Sequence, residues 1–209
     1  MNRLILLSAV CLVFLSACSA KPTTTPLPPH SSVAVAAFIH PQHDWELMAG
    51  VLPEQPGRIP TEALASLNEK VTEFLQKTGH SIAPFTAVKG CEEIALASKP
   101  RQRMETVEYW KAVGKCMKVN YVLLPFITQW QDRDGGEWGV NRPASVTLDL
   151  YLLDVQSGQV RRFHYEEVQR GLAENLLESK RFFRRSGKWV SAEQITLEAF
   201  ETGVKELGL

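Results

Sequence analysis

Neither sign of charge predominates in this chain of 209 residues: Lys and Arg total 23, and so do Asp and Glu. That balance removes any global pull toward nucleic acid or an acidic polymer. The one long apolar run, near the amino terminus, is about a dozen residues, short of the roughly 20 that a membrane-spanning helix needs. Signatures of catalysis are equally scarce. The chain has no G-x-S-x-G nucleophile elbow, no H-E-x-x-H zinc helix and no C-x-x-C redox pair. Its adjacent glycines, Gly135 and Gly136, precede no helical pattern, so they do not form a phosphate-cradling helix start. What remains is the composition of an ordinary globular protein, 44% hydrophobic, with enough chain for one well-filled core.

The short apolar run has the three parts of a secretory signal. Arg3 is its only charge, residues 4–15 form the apolar core, and small residues follow. Leu15-Ser16-Ala17-Cys18 resembles the lipobox of bacterial lipoproteins. That resemblance implies cleavage before Cys18 and lipidation of its thiol and amine. Several acyl chains, each buried methylene worth about 0.8 kcal/mol, would make the attachment permanent. Ser19, rather than an aspartate, after the cysteine resembles the outer-membrane sorting pattern of Gram-negative lipoproteins. The expected organisation is a signal peptide over 1–17, a lipidated Cys18 with a proline-rich linker over 18–32, and one periplasmic domain over 33–209. At about 3.1 Å per residue, an extended proline-rich linker of that length reaches roughly 40 Å.

Four cysteines divide by position. Cys11 leaves with the signal and Cys18 carries lipid, so Cys91 and Cys116 remain. In an oxidising compartment they either pair or stay as two buried thiols. Closure of that loop of about 25 residues would stabilise the fold by roughly 3 kcal/mol.

Along the domain, 33–39 (VAVAAFI) reads as a strand buried on both faces. Residues 40–60, with Pro41, Pro53, Pro56 and Pro60, form a long connection of the kind that often carries function. The spacing of Leu64, Leu67, Val71, Phe74 and Leu75 predicts a helix over 61–79 that ends on Gly79. A second strand is expected over 81–88, an edge or bulge because of Pro84. Helices follow at 90–97 and 104–117, then a central strand at 119–130. Residues 132–139 form a turn. Across 144–155, Val146, Leu148, Leu150 and Leu152 alternate with Thr147, Asp149, Tyr151 and Leu153. A hairpin at 156–159 leads to an edge strand over 160–169, and an amphipathic helix is expected over 174–185. Ser191 and Gln194 match a capping box, with Val190 and Ile195 as its hydrophobic staple, opening a final helix.

The predicted class is α/β (α+β): a mixed sheet of about five strands, order β-α-β-α-α-β-β-β-α-α, with helices packed against it. The VAVAAF strand, the V-N-Y-V-L-L strand and L-D-L-Y-L-L-D-V-Q-S-G-Q-V, with its D-x-x-S-G turn at Asp154 to Gly158, resemble envelope proteins of the TolB amino-terminal, CsgG and LpoB type. The resemblance spans most of 33–170 and implies a non-catalytic role in envelope assembly or regulation. The chain departs from CsgG in lacking long alternating insertions that could form a membrane barrel, and from LpoB in its short linker.

Three clusters carry candidate chemistry. His40, His43, Asp44 and Glu46 offer nitrogen and oxygen ligands suited to zinc, but without a recognisable zinc spacing. Asp132, Asp134 and Glu137 have the composition of a calcium loop without its register. Lys180, Arg181, Arg184, Arg185 and Lys188, interleaved with Phe182, Phe183 and Trp189, suit an anionic lipid surface or an acidic partner, or cations facing water over inward aromatics. Export from the cytoplasm excludes nucleic acid for this patch, and no cofactor is implied. The expected function is a lipid-anchored protein-interaction module in the outer membrane that binds another envelope protein. The rival expectations are a metal-dependent hydrolase on His40, His43 and Asp44, and an oligomeric subunit of an export complex.

Overall fold

The structure, a computed structural model, describes residues 25–170 and 184–209. Among the described residues there are seven strands: β1 (Ser32–Val35), β2 (Ser81–Ala83), β3 (Tyr121–Gln131), β4 (Asp134–Gly135), β5 (Val140–Arg142), β6 (Ser145–Asp154) and β7 (Val160–Val168). Five of them form one mixed sheet in the order β2-β1-β3-β6-β7, and β4 and β5 make a separate two-stranded hairpin. β1 lies parallel to both β2 and β3, whereas β3, β6 and β7 form an antiparallel meander. The first half therefore crosses over through helices and the second turns back directly, as the alternation of patterns predicts.

Among the described residues, four α-helices cover the sheet: α1 (Thr61–Leu75), α2 (Phe85–Ser98), α3 (Thr106–Met117) and α4 (Ala192–Leu207). On one face, Leu123, Ile127, Val146, Leu148, Leu150 and Leu152 pack against Leu67, Val71 and Leu75 of α1 and Ile195, Phe200 and Val204 of α4. On the other, Val122, Leu124, Phe126, Tyr151 and Leu153 pack against Val88, Cys91 and Ala95 of α2 and Tyr109, Trp110 and Val113 of α3. The alternation in β6 thus divides its side chains between two cores. Gly203 lets α4 lie close on the sheet, because a Cβ there would come within 2.4 Å of Phe163 and 2.6 Å of Leu150.

Several boundaries differ from the sequence pattern, each for a local reason. β1 ends at Val35 instead of continuing to Ile39, and Ile39 rejoins only as an isolated bridge to Phe126. At that level the neighbouring strand presents Pro125, which has no N–H to offer the ladder. The strand expected over 81–88 stops at Ala83, and residues 85–88 begin α2. Pro84 is extended at the N-cap, and Val88, Cys91 and Ala95 then fall on one buried helical stripe. α1 ends at Leu75, and Gly79 turns the chain with φ +80° three residues beyond the cap at Gln76. The expected turn over 132–139 contains β4 and part of a hairpin. A register shift between Ile127 and Gln129 lets Thr128 bulge, which brings Trp130 onto the same face as Ile127. Ser191 caps α4 by accepting from the Gln194 N–H at 3.2 Å, but the Gln194 side chain donates forward to Glu198, so only half of the box forms. The helix expected over 174–185 lies almost entirely outside the described residues.

The other difference concerns the linker. Residues 25–31 are part of the folded body rather than a free tether. Leu27 is buried in the core beneath α4, and its N–H donates to the Gly208 carbonyl at 2.9 Å. Arg161 donates to the carbonyl of Thr25 at 2.7 Å and to that of Leu207 at 3.2 Å. The linker expected to run to residue 32 is therefore docked from Thr25 onward.

Candidate functional site

Lys180 and Arg181 lie outside the described residues, as does Cys18. The rest of the basic run does not form one surface. Arg185, expected to face a partner or lipid, is turned inward, with only 8% of its side chain exposed. Its guanidinium donates to Glu167 at 2.6 Å and to Glu198 at 2.7 Å, and the Tyr165 hydroxyl also donates to Glu167. Burial opposes the charge of Arg185, but the hydrogen bonds to Glu167 and Glu198 outweigh it and raise the pKa above its ordinary value. Arg185 is corrected from contact residue to buried countercharge. Arg184 remains exposed.

Lys188 bonds to Glu137 at 2.8 Å and lies 5.3 Å from the centre of the Trp138 ring. The hydrogen bond and charge of Lys188 hold the Glu137 carboxyl below the usual carboxylate range. The Trp189 N–H donates to the Glu137 carbonyl at 2.8 Å, and Arg133 donates back to the Trp189 carbonyl. The β4–β5 hairpin is thereby stapled to the segment that leads into α4. It holds Trp138 in water at 75% exposure. Large exposed aromatics of this kind are common anchors at protein interfaces.

The His40 cluster serves its own loop. His40 Nδ1 lies 2.9 Å from the Ile127 carbonyl oxygen and Nε2 lies 3.2 Å from that of Gly57. His43 stacks on Trp45, and Asp44 accepts from the Leu52 N–H at 2.7 Å. Glu46 accepts from the Gln42 N–H at 2.6 Å. The structure does not gather His40, His43 and Asp44 into one ligand set. Asp132 likewise accepts from the N–H groups of Arg133 and Ala192. Among the described residues, no group of three or more His, Cys, Asp or Glu side chains could hold a metal ion.

Cys91 of α2 and Cys116 of α3 form a disulfide, with Cα atoms 5.7 Å apart. It ties together the two helices that cover the second core.

Three features were not singled out from the sequence. Gly57 has φ +76°, and a Cβ there would lie 1.9 Å from the Trp130 carbonyl oxygen, so the long loop can lie along β3 only through glycine. Arg101 sits over the rings of Trp45 (5.4 Å) and Tyr109 (4.6 Å) and donates to Thr106 at 3.1 Å, whose hydroxyl donates to the Trp45 carbonyl. This fastens the 40–60 loop to the start of α3. Burial, then the charge of Glu92, pushes Tyr109 up to about 12. Finally, Asp149 is buried at the centre of β6, 2.8 Å from Arg162 Nε and 2.9 Å from His164 Nδ1. His164 Nδ1 also lies 3.4 Å from Arg162, so the imidazole and the guanidinium share the one carboxylate. The β6 alternation could have flagged Asp149, since it places a carboxylate in line with Tyr151 and Leu153.

The described chain is thus a mixed α/β domain whose buried carboxylates, Asp149 and Glu167, are each paired with an arginine. No protein family matches its sequence, and no curated protein does. Among solved structures it is similar to the LpoB C-terminal domain from Salmonella enterica, at 11% identity and a TM-score of 0.42, covering 70% of this chain and 88% of that one. It is also similar to the lipoprotein GNA1162 from Neisseria meningitidis, at 12% identity and a TM-score of 0.40, covering 75% and 93%. The PelC dodecamer from Paraburkholderia phytofirmans matches at 18% identity and a TM-score of 0.33, covering 72% and 82%. These likenesses are too distant to bring any neighbour's activity to this chain.

Proposed function

We propose that this chain is a lipid-anchored lipoprotein of the outer membrane whose periplasmic domain binds another envelope protein without catalysing a reaction. The observation that carries the reading is the lipobox Leu15-Ser16-Ala17-Cys18, set only a few residues before a segment built into the domain core. Cys18 takes the lipid, and Ser19 directs the protein to the outer membrane. The domain's ionisable groups support a binding role, since its buried charges are neutralised in pairs and its loop acids bind backbone N–H groups. The stapled hairpin supplies the contact surface, with Trp138 as its apolar anchor and Lys188 as its cationic neighbour.

Crosslinking in cells, followed by purification from membranes, tests the reading. An envelope protein is expected to co-purify with the wild type and to be lost on Trp138→Ala. Recovery of no envelope protein with the wild type would overturn it. A Cys18→Ala chain is expected to leave the membrane fraction.

A further inference from the structure

The docked segment fixes how far the domain can stand from its anchor and which end it presents. Only seven residue steps separate Cys18 from Thr25, which is held by Arg161. Such a stretch spans at most about 25 Å fully extended. β3, at 11 residues, is by itself about 36 Å long. Thr25 lies at the end of the sheet where β1 and β3 begin and where α4 finishes, as the bond from Leu27 to Gly208 shows. The Trp138 hairpin and the start of α4 lie at the opposite end, beyond the reach of the tether if the molecule stood on them.

The tether end also has its own charge pattern. α1, α3 and α4 all terminate there, since the chain passes from α1 to Ser81 beside Ser32 and from α3 to Tyr121 beside Val33. Each of these helices leaves an exposed lysine at its close: Lys77, Lys115 with Lys118, and Lys205. None of the four pairs with a carboxylate among the described residues. Among nearby acids, Asp154 is taken up by the N–H groups of Gln156 and Ser157, while Glu206 is exposed. A groove of about 550 Å³ opens beside the docked segment, lined by Pro28, His30, Lys115, Asn120 and Gln156. A chain with no net charge thus collects unpaired cations at the end from which its lipid anchor departs.

We infer that this end of the domain is a second membrane contact, in which Lys77, Lys115, Lys118 and Lys205 rest on anionic phospholipid headgroups and hold the Trp138 hairpin away from the bilayer. The inference rests on the lipid-anchor reading, since the short tether is what brings this end to the surface. Basic side chains beside a lipid anchor act as the second signal that strengthens and orients attachment. The contact assigns the two ends different tasks, one facing lipid and the other a protein partner.

The test uses the mature protein purified from membranes, with its intact mass measured, and reconstituted through its own anchor into nanodiscs. One set contains phosphatidylcholine alone and the other adds phosphatidylglycerol. Amide hydrogen exchange at 76–80, 115–120, 155–161 and 205–209 is expected to slow several-fold over the anionic bilayer, while 136–140 stays unchanged. A chain carrying Lys115→Glu, Lys118→Glu and Lys205→Glu should lose that protection, and the corresponding Gln variants should lose part of it. All three substituted positions are exposed lysines, and an unchanged urea midpoint verifies that the fold persists. Equal exchange over both bilayers, protection at 136–140 instead, or protection that survives charge reversal would overturn the inference while leaving the anchor reading intact. A mass without acyl groups on Cys18 would overturn both.

Discussion

Arg185 shows how one side chain changes meaning when its surroundings are known. In the sequence it belongs to a basic run, whereas in the fold its guanidinium sits between Glu167 and Glu198 with little exposure. Removing one partner of a buried pair leaves the other charge without compensation. Arg185→Ala is therefore expected to destabilise the protein by about 3 kcal/mol in urea unfolding, and Arg184→Ala to change it little. Glu193 gives a pH-dependent counterpart. Burial tends to raise its pKa, but hydrogen bonds from Lys70 at 2.6 Å and Ser66 at 2.7 Å outweigh that and lower it. A carboxylate with a lowered folded pKa adds stability that is complete above its unfolded pKa and is lost as pH falls through the folded value. The difference in urea midpoint between wild type and Glu193→Gln should accordingly be widest near neutrality and close in strong acid. Because Lys70 is half exposed, the difference should also shrink in high salt.

At the level of elements, the two helices over the second core are joined by Cys91–Cys116. Replacing both cysteines with serine should cost about 3 kcal/mol in the chain-entropy account. Faster amide exchange is expected first in α2 and the end of α3, which the bond fastens together. The α2 boundary also shows where sequence patterns mislead. Residues 81–88 read as one strand because SIAPFTAV is rich in apolar and β-branched residues. Pro84 divides it, and the period changes from two to 3.6 immediately afterwards, with Val88, Cys91 and Ala95 buried together. By contrast, β6 was readable residue by residue, because each of its two faces meets a different apolar layer and no slip of register is tolerated.

For the whole molecule, the docked segment before β1 decides the arrangement. Leu27 anchors it, at 5% exposure beside α4. Leu27→Ala is expected to cost about 2 kcal/mol. It should also expose residues 25–31 to proteolysis before the rest of the domain unfolds, as limited digestion with mass mapping would show. A variant whose segment stayed protected would mean that Arg161 and the Gly208 carbonyl hold it unaided. Under the proposed lipid anchoring at Cys18, release of this segment would lengthen the tether toward the roughly 40 Å that an extended linker to residue 32 allows.

The sequence by itself determined the class of fold, the two-sided burial of the central strands, the cap of α4 and the resemblance of residues 15–18 to a lipobox. These follow from local patterns: period two or 3.6, a serine before a helix, a short apolar run ending in a small-residue cysteine motif. Only the tertiary structure decided that the proline-rich linker is half docked, that Arg185 faces inward, and that His40, His43 and Asp44 serve their own loop. It alone brought four helix-end lysines to one end and Trp138 to the other. The reason is physical: such properties depend on which groups distant in the chain meet, as Thr25 meets Arg161 and Arg185 meets Glu167, and no local period encodes those meetings.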